Sequence, residues 1–330
     1  MKKRKLLFIS AYTASFVKND LNFLQKHFSV RELIFSGGKN PLEIIKTVFL
    51  IFREILRNEI VYCWFADFRA FVAVFLAKLF GKKSIIIIGG YEVANVPEIN
   101  YGGFLNKKIS GRLKYILKNA NKIFSVSEAS RKELLAVFPT LKPQLIYNGV
   151  DCQRFFPKGK KEKIVLTVGN VQHGNLKRKG LETFVKTATF LPDFKFILVG
   201  KFMDDSIEYL RSIAAENVEF TGFVEFEKLS EFYQKAKVYV QVSAHEAFGL
   251  SLAEAMLCEC VPVVTRRGAI PEVAGENGFY VDFDNPQKTA AAILQAMNSE
   301  KGKEARQHIL KNFCLKEREE KIVKAINEIL

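Results

Sequence analysis

Apolar residues fall into short continuous runs, and between the runs they recur every three or four positions. In the first half the runs are Leu6–Ser10, Glu59–Trp64, Lys83–Ile88, Lys122–Val126 and Gln144–Tyr147. Helical spacing occupies Pro41–Arg57 and Phe68–Phe80 between them. The run Ile85 to Gly90 is apolar throughout and then stops at two glycines, the pattern of a strand buried on both faces that opens into a loop. After Val150-Asp151 comes the polar connector FFPKGKKEK, and a second series begins. Its strands are expected at Lys163–Val168, Lys195–Val199, Val218–Phe220, Val238–Val242 and Val261–Thr265, with helices from about Lys179 and Gly249. Leu315–Leu330 is amphipathic. Two alternating strand–helix series imply an α/β protein with two doubly wound parallel sheets, whose ligands bind beyond the carboxyl ends of the strands.

Length and composition agree with this division. The chain has 330 residues, enough for two ordinary domains, and 48% of them are hydrophobic. The net charge of +15 is uneven: residues 1–155 hold 25 Lys/Arg against 11 Asp/Glu, so the front half carries nearly all of it. Such a surface attracts anions, and Lys2, Lys3, Arg4, Lys5, Lys107, Lys108, Arg112, Lys114, Lys118 and Lys122 are its candidates for an anionic membrane. The basic start followed by Leu6–Ile9 imitates a signal peptide, but the apolar run is too short for one and reads as a first strand. No stretch approaches the roughly 20 apolar residues of a membrane span; Phe68–Lys83 reads as a buried or interfacial helix. Five scattered cysteines suit buried free thiols in a reducing compartment, and Cys258-x-Cys260 lacks further ligands at zinc spacing. The expected location is cytoplasmic, with peripheral contact at the inner membrane face.

The chemistry is concentrated in SAHEAFGLSLAEAML, Ser243 to Leu257. Glu246 and Glu254 bracket Phe248-Gly249-Leu250 at the mouth of a helix. The amides of Phe248, Gly249 and Leu250 at the first turn have no intrahelical acceptor, and with the helix dipole they form an anion site. Glu254, one turn along, is placed to accept hydroxyl hydrogen bonds from a ribose, or else is an ordinary helix glutamate. Glu246 lies where sugar hydroxyls would be. Dinucleotide and P-loop readings fail. There is no G-x-G-x-x-G, and Gly169-Asn170-Val171-Gln172-His173-Gly174 is followed by Asn175-Leu176 where a P-loop needs Lys-Ser/Thr.

These residues resemble the E-x7-E signature of retaining glycosyltransferases of the GT-B fold, family 4, "glycosyltransferase group 1". Further motifs are similar to that family's: Asn148-Gly149-Val150-Asp151 with Phe155 and Pro157, Lys179-Gly180 after Val168-Gly169, Leu198-Val199-Gly200, Gly222-Phe223, Pro262-Val263-Val264 and Pro271-Glu272-Val273. The resemblance spans about residues 120–300. It implies two Rossmann-like domains facing each other across a cleft. Residues 1–155 with a terminal helix of about 313–330 would bind the acceptor, and 156–312 the nucleotide-sugar donor. The implied reaction moves a hexose from a UDP- or GDP-sugar to a glycan or lipid-linked acceptor hydroxyl, without a cofactor or an obligatory metal and without nucleic acid.

By the same resemblance Lys179, Arg178 and Glu246 serve catalysis. Glu254, Phe248, Gly249, Leu250, Ser251, Gly222, Phe223, Gly169 and Asn170 hold the donor, and Gly90, Tyr91 and Glu92 lie on the acceptor side. Asn170 stands where many members carry arginine, and Arg178 is the candidate to replace it. His245 either touches ligand or is structural. The alternatives are a sugar-nucleotide epimerase on the same fold and a non-catalytic anion- or nucleic-acid-binding protein.

Overall fold

The computed structural model describes residues 3–35, 40–105 and 107–330. Of the basic residues named above, Lys2 lies outside them, as do the side chains of Lys107 and Lys108. The chain divides into two compact units: Met1–Gly149 with Leu315–Leu330, and Val150–Cys314.

The first unit holds a parallel sheet of β1 (Lys5–Ser10), β2 (Ser29–Ile34), β3 (Ile60–Trp64), β4 (Lys83–Ile88), β5 (Lys122–Ser125) and β6 (Gln144–Leu145), in the order β2-β1-β3-β4-β5-β6. Every residue of β3 is buried, as are the last five of β4, because helices cover both faces. The edge strand β2 escaped the sequence reading. Its pattern is mostly exposed, and a half-solvated edge lacks the continuous apolar run that marks the central strands. Helix Pro41–Arg57 starts under an Asn40 cap with proline in its first turn, and helix Phe68–Leu79 under Asp67, whose carboxylate accepts from the Arg69 and Ala70 amides. The closing helix Leu315–Asn327 returns to this unit and packs on helix Ser15–His27. Its buried Arg318 donates to both oxygens of Asp20 at 2.7 and 2.8 Å, and Tyr62 donates to the same carboxylate at 2.6 Å.

The second unit holds β7 (Glu162–Val168), β8 (Lys195–Val199), β9 (Val218–Gly222), β10 (Ala236–Gln241), β11 (Val261–Thr265) and β12 (Phe279–Val281), ordered β12-β11-β10-β7-β8-β9. This sheet also is wholly parallel, and its strand order reverses between β7 and β10. The short, half-buried β12 is the other strand that periodicity missed.

The cysteines depart from expectation. Cys63, Cys258 and Cys260 are buried free thiols, but Cys152 and Cys314 form a disulfide. They lie 162 residues apart, so no local spacing announces the pair; they meet because Val150 bridges Cys314 in parallel where the second unit begins and ends. The argument from free thiols to a reducing compartment falls with this bond. Among the described residues no helix is long and apolar enough to cross a membrane.

Candidate functional site

In a doubly wound sheet the point where strand order reverses leaves a crevice at the carboxyl ends. In the second unit that point lies beyond β7 and β10; Gly169 and Asn170 follow β7, Glu246 and Gly249 follow β10, and Gly222 ends the edge strand β9 with Phe223 after it.

Glycines set the backbone. Gly169 follows β7, and the Lys179 stem crosses it so closely that a Cβ would lie 2.9 Å from Lys179 Cδ. Gly180, at φ +69°, presses against the end of β10, where a Cβ would lie 2.3 Å from the Val242 carbonyl oxygen. Lys179 therefore sits between two helices, His173–Arg178 and Leu181–Thr187, rather than opening one as its pattern had indicated. Gly249, at φ +97°, caps helix Leu250–Leu257; a Cβ there would meet nothing closer than 3.6 Å, so conformation and not space demands glycine. Leu250 is thus the first helical residue and Ser251 the second, with their amides unclaimed by the helix.

Charged groups converge on Glu246, three residues before Gly249. The Lys179 ammonium donates to Glu246 Oε1 at 3.3 Å, and Arg178 Nη1 lies 3.9 Å from the same oxygen. Ser243 Oγ donates to it at 3.4 Å. Burial alone would raise the Glu246 carboxyl, but Lys179 and Arg178 outweigh it and hold the group below the usual carboxylate range. The guanidinium is braced by Asn175, whose Oδ1 accepts from Arg178 Nε at 3.2 Å and from Nη2 at 2.6 Å. The Asn175 amide in turn donates to the Asn170 carbonyl at 2.7 Å. Asn170 thus acts through its backbone and Arg178 is directed to Glu246.

Glu254 behaves differently. It is buried one turn along the helix, accepts from the Tyr233 hydroxyl at 3.0 Å, and desolvation pushes its carboxyl up to about 7 against the opposing influence of Tyr233 and Arg154. The Phe248 ring packs on Phe313 with centroids 5.4 Å apart, so only its backbone can serve a ligand. His245 is buried. Gly222, at φ +71°, ends β9, its carbonyl accepting from the Gly200 amide at 3.1 Å, and Phe223 after it is 70% exposed.

Two residues here escaped sequence reasoning. Gly268, at φ +54°, lies against Glu246, where a Cβ would fall 2.4 Å from the Glu246 carbonyl oxygen, and the neighbouring Ala269 amide donates to that oxygen at 2.9 Å. Gln241 ends β10 beside Gly249 with its amide buried and neither Oε1 nor Nε2 bonded to protein. The glycine before Pro271-Glu272 was a possible signal for the first; nothing marked the second.

The first unit's sheet reverses between β1 and β3, and aromatic rings fill that point. Tyr12 stacks on Phe65 at 4.9 Å, and Phe16 meets Trp64 at 4.9 Å and Phe65 at 6.2 Å. Phe65 has φ +71°, a strained conformation for a bulky residue. A Cβ on Gly89 would lie 2.4 Å from its ring. Gly90 follows at φ +117° and Tyr91 is half exposed. Glu92 turns inward: Oε1 accepts from the Ala66 and Gly89 amides, and burial raises its carboxyl despite those bonds. It joins the two loops rather than facing solvent.

Among the described residues, one group of side chains has the spacing to hold a cation: His173, Asp204 and Asp205, all exposed. His173 opens the short helix that ends at Arg178, and its amide and ring contact Asp204 and Asp205 rather than the Lys179–Glu246 pair.

Comparison with known proteins bears on this geometry. Residues 162–299 match the family model described as "Glycosyl transferases group 1". The alpha-galactosylglucosyldiacylglycerol synthase of Streptococcus pneumoniae is 28% identical over 69% of this chain and 65% of that protein. The chain spans between 54% and 65% of the lengths of the first curated relatives it matches. Sucrose-phosphate synthase from Thermosynechococcus elongatus superposes with a TM-score of 0.83 at 18% identity, over 99% of both chains. Anabaena HepE, solved with UDP and glucose, gives 0.80 at 15% over 98% and 99%. The fold is GT-B, two Rossmann-like α/β units, and the matched segment holds the Lys179–Glu246 pair and Glu254. Residues 162–299 are thus similar to a glycosyltransferase domain, and the whole chain to the GT-B fold.

Proposed function

We propose that the protein transfers a hexose from a UDP- or GDP-sugar to an acceptor hydroxyl with retention of anomeric configuration. The observation that carries this reading is the convergence of Lys179 and Arg178 on Glu246, three residues before the Gly249 that caps helix Leu250–Leu257. A diphosphate laid against the first-turn amides is met by the ammonium of Lys179 and the guanidinium of Arg178. Negative charge grows on the leaving phosphate as the glycosidic bond breaks, and groups already oriented toward it favour the transition state over the ground state. Glu246, kept ionised by the same cations, accepts from hexose hydroxyls. Glu254 accepts from the ribose, and the buried amide of Gln241 gains partners from the bound donor. The acceptor oxygen bonds to the anomeric carbon on the face the diphosphate leaves, and its proton passes to the departing phosphate oxygen. The step needs no side-chain base, cofactor or obligatory metal.

We assign the acceptor, a glycan or lipid-linked glycoconjugate, to the first unit, with Gly90, Tyr91 and the Tyr12–Phe65 stack as its contacts; apolar sugar faces suit exposed rings. Its basic surface, including exposed Arg112, Lys114 and Lys118, suits peripheral contact with an anionic membrane.

Calorimetry with UDP and GDP tests the donor placement. Glu254→Ala is expected to weaken the preferred nucleotide about 10- to 100-fold, the loss of hydrogen bonds to a charged acceptor. Unchanged affinity overturns the placement. Incubating the donor alone separates transfer from epimerisation: a new sugar nucleotide formed without acceptor would favour the epimerase.

A further inference from the structure

Helix Pro41–Arg57 carries two apolar stripes where a helix on a sheet needs one. Val48, Ile51 and Ile55 pack into the core. The second stripe, Leu42, Ile45, Phe49, Phe52 and Leu56, recurs every three or four residues along a separate face, and each member is exposed: 73% for Leu42, 66% for Ile45 and 60% for Phe49. The patch continues onto the neighbouring helix. Phe52 meets Phe80 at 5.8 Å, and Leu79 and Phe75 are exposed beside it. Phe75 reaches Tyr115 on helix Lys107–Asn119, at 6.3 Å. Isolated apolar residues on a surface need no explanation, but a contiguous patch of eight does.

Cations border it. Lys46, Arg53 and Arg57 share one flank of helix Pro41–Arg57. Buried Glu54 collects three guanidiniums, Arg53 at 2.7 Å, Arg57 at 3.6 Å and Arg31 at 3.7 Å, so one negative charge leaves two positive ones over. The helix's other acid, Glu43, sits in its first turn. Beyond Tyr115 stand exposed Arg112 and Lys118.

We infer that this face, Leu42 to Leu56 with Phe75, Leu79 and Phe80, seats the protein on an anionic lipid bilayer. The rings and branched chains enter the boundary between headgroups and acyl chains, while the flanking lysine and arginine stems lie along it with their charges among the lipid phosphates. Charge complementarity selects this occupant over a second copy of the chain: an isologous pairing sets the same cations against one another, whereas an anionic surface neutralises them. The inference takes its partner from the membrane contact proposed above but does not depend on the donor site, which lies in the other unit.

Vesicle co-sedimentation tests it, using phosphatidylcholine alone and phosphatidylcholine with phosphatidylglycerol at about 0.1 M salt, close to physiological screening. The protein is expected to bind the mixed vesicles and to bind pure phosphatidylcholine weakly. The double variant I45S/F49S, which alters two exposed side chains, is expected to lower partitioning at least about tenfold. Lys46→Gln is expected to lower it about fivefold on the mixed vesicles alone. Both should keep the parent's thermal unfolding and nucleotide affinity. Equal binding of parent and I45S/F49S overturns the inference. So does a parent that ignores mixed vesicles but forms a dimer that I45S/F49S disperses, which would make the face an interface between copies. Nucleotide affinity in the same preparations reports separately on the donor reading, so either can fail alone.

Discussion

Each sheet reverses its strand order once, and the two reversal points are furnished in opposite ways. Beyond β7 and β10, glycines bring backbone into contact and a compact set of charges remains: Lys179, Arg178 and Glu246. Beyond β1 and β3 there is no such glycine loop; Ala11-Tyr12-Thr13-Ala14-Ser15 follows the strand, and the space is taken by Tyr12, Phe16, Trp64 and a strained Phe65. A diphosphate offers the same oxygens in every nucleotide sugar, so amides and fixed cations suffice to hold it. An acceptor is recognised by its faces and edges, which side chains read. On the function proposed above, the two units would apply one topology to two recognition problems, rigid anion binding and shape-dependent stacking.

The largest effect should follow from removing a charge at the first of these points. Lys179→Ala is expected to reduce turnover about 10²- to 10³-fold, with a smaller change in donor KM. Steady-state kinetics checks this, and a change confined to acceptor KM would put the charges on the wrong side of the comparison.

Next comes the disulfide, whose loop encloses the second unit and none of the first. Cys152→Ser or reduction is expected to cost that unit about 2–4 kcal/mol. Trp64, the one tryptophan of the chain, sits in the first unit, so its fluorescence should lag behind loss of nucleotide binding as the protein is heated. Transitions that move together would mean that the units unfold as one.

A pH series sharpens the donor side. Glu254 must be ionised to accept two hydroxyls, and its carboxyl stands at about 7. Nucleotide affinity should therefore rise with pH through 7 and be about tenfold weaker at pH 6 than at pH 8, a dependence that Glu254→Gln should lack. Stability runs the other way. The folded value lies above the unfolded one, so folding favours the neutral acid, and the unliganded protein loses stability as pH rises from about 4.5 to 7, relative to Glu254→Gln. Thermal unfolding across that range measures it.

The smallest effect is expected at the aromatic point. Phe65→Ala removes the stack on Tyr12 while keeping a Cβ at the same positive φ, so acceptor KM should rise several-fold, an order set by aromatic pairs worth about 0.5–1.5 kcal/mol, with donor KM unchanged.

Much of this molecule is written locally. Runs of four to six apolar residues mark central strands, and these fell where the pattern put them: β1, β3, β4, β8 and β11, with β4 and β8 stopping at glycine. The helix mouth at Gly249 was legible for the same reason, since a glycine before an apolar helical repeat states both conformation and direction. Edge strands β2 and β12 were not: β2, SVRELI, interrupts its apolar residues with charges, and β12 is only three residues long. The apolar positions of helix Pro41–Arg57 were visible too, but not that one of its two stripes stays uncovered, which depends on what packs against it.

The sequence by itself determined the alternation of strands and helices, the glycines that turn the chain and the types of charge available, because each of these acts over a few neighbouring residues. Only the tertiary structure decided which charges meet. Lys179 and Glu246 are 67 residues apart, Asp20 and Arg318 are 298 apart, and the two bridged cysteines 162. Such pairs depend on strand order and on close backbone contacts such as that of Gly268 with Glu246, which arise when elements pack and leave no periodic trace in the chain.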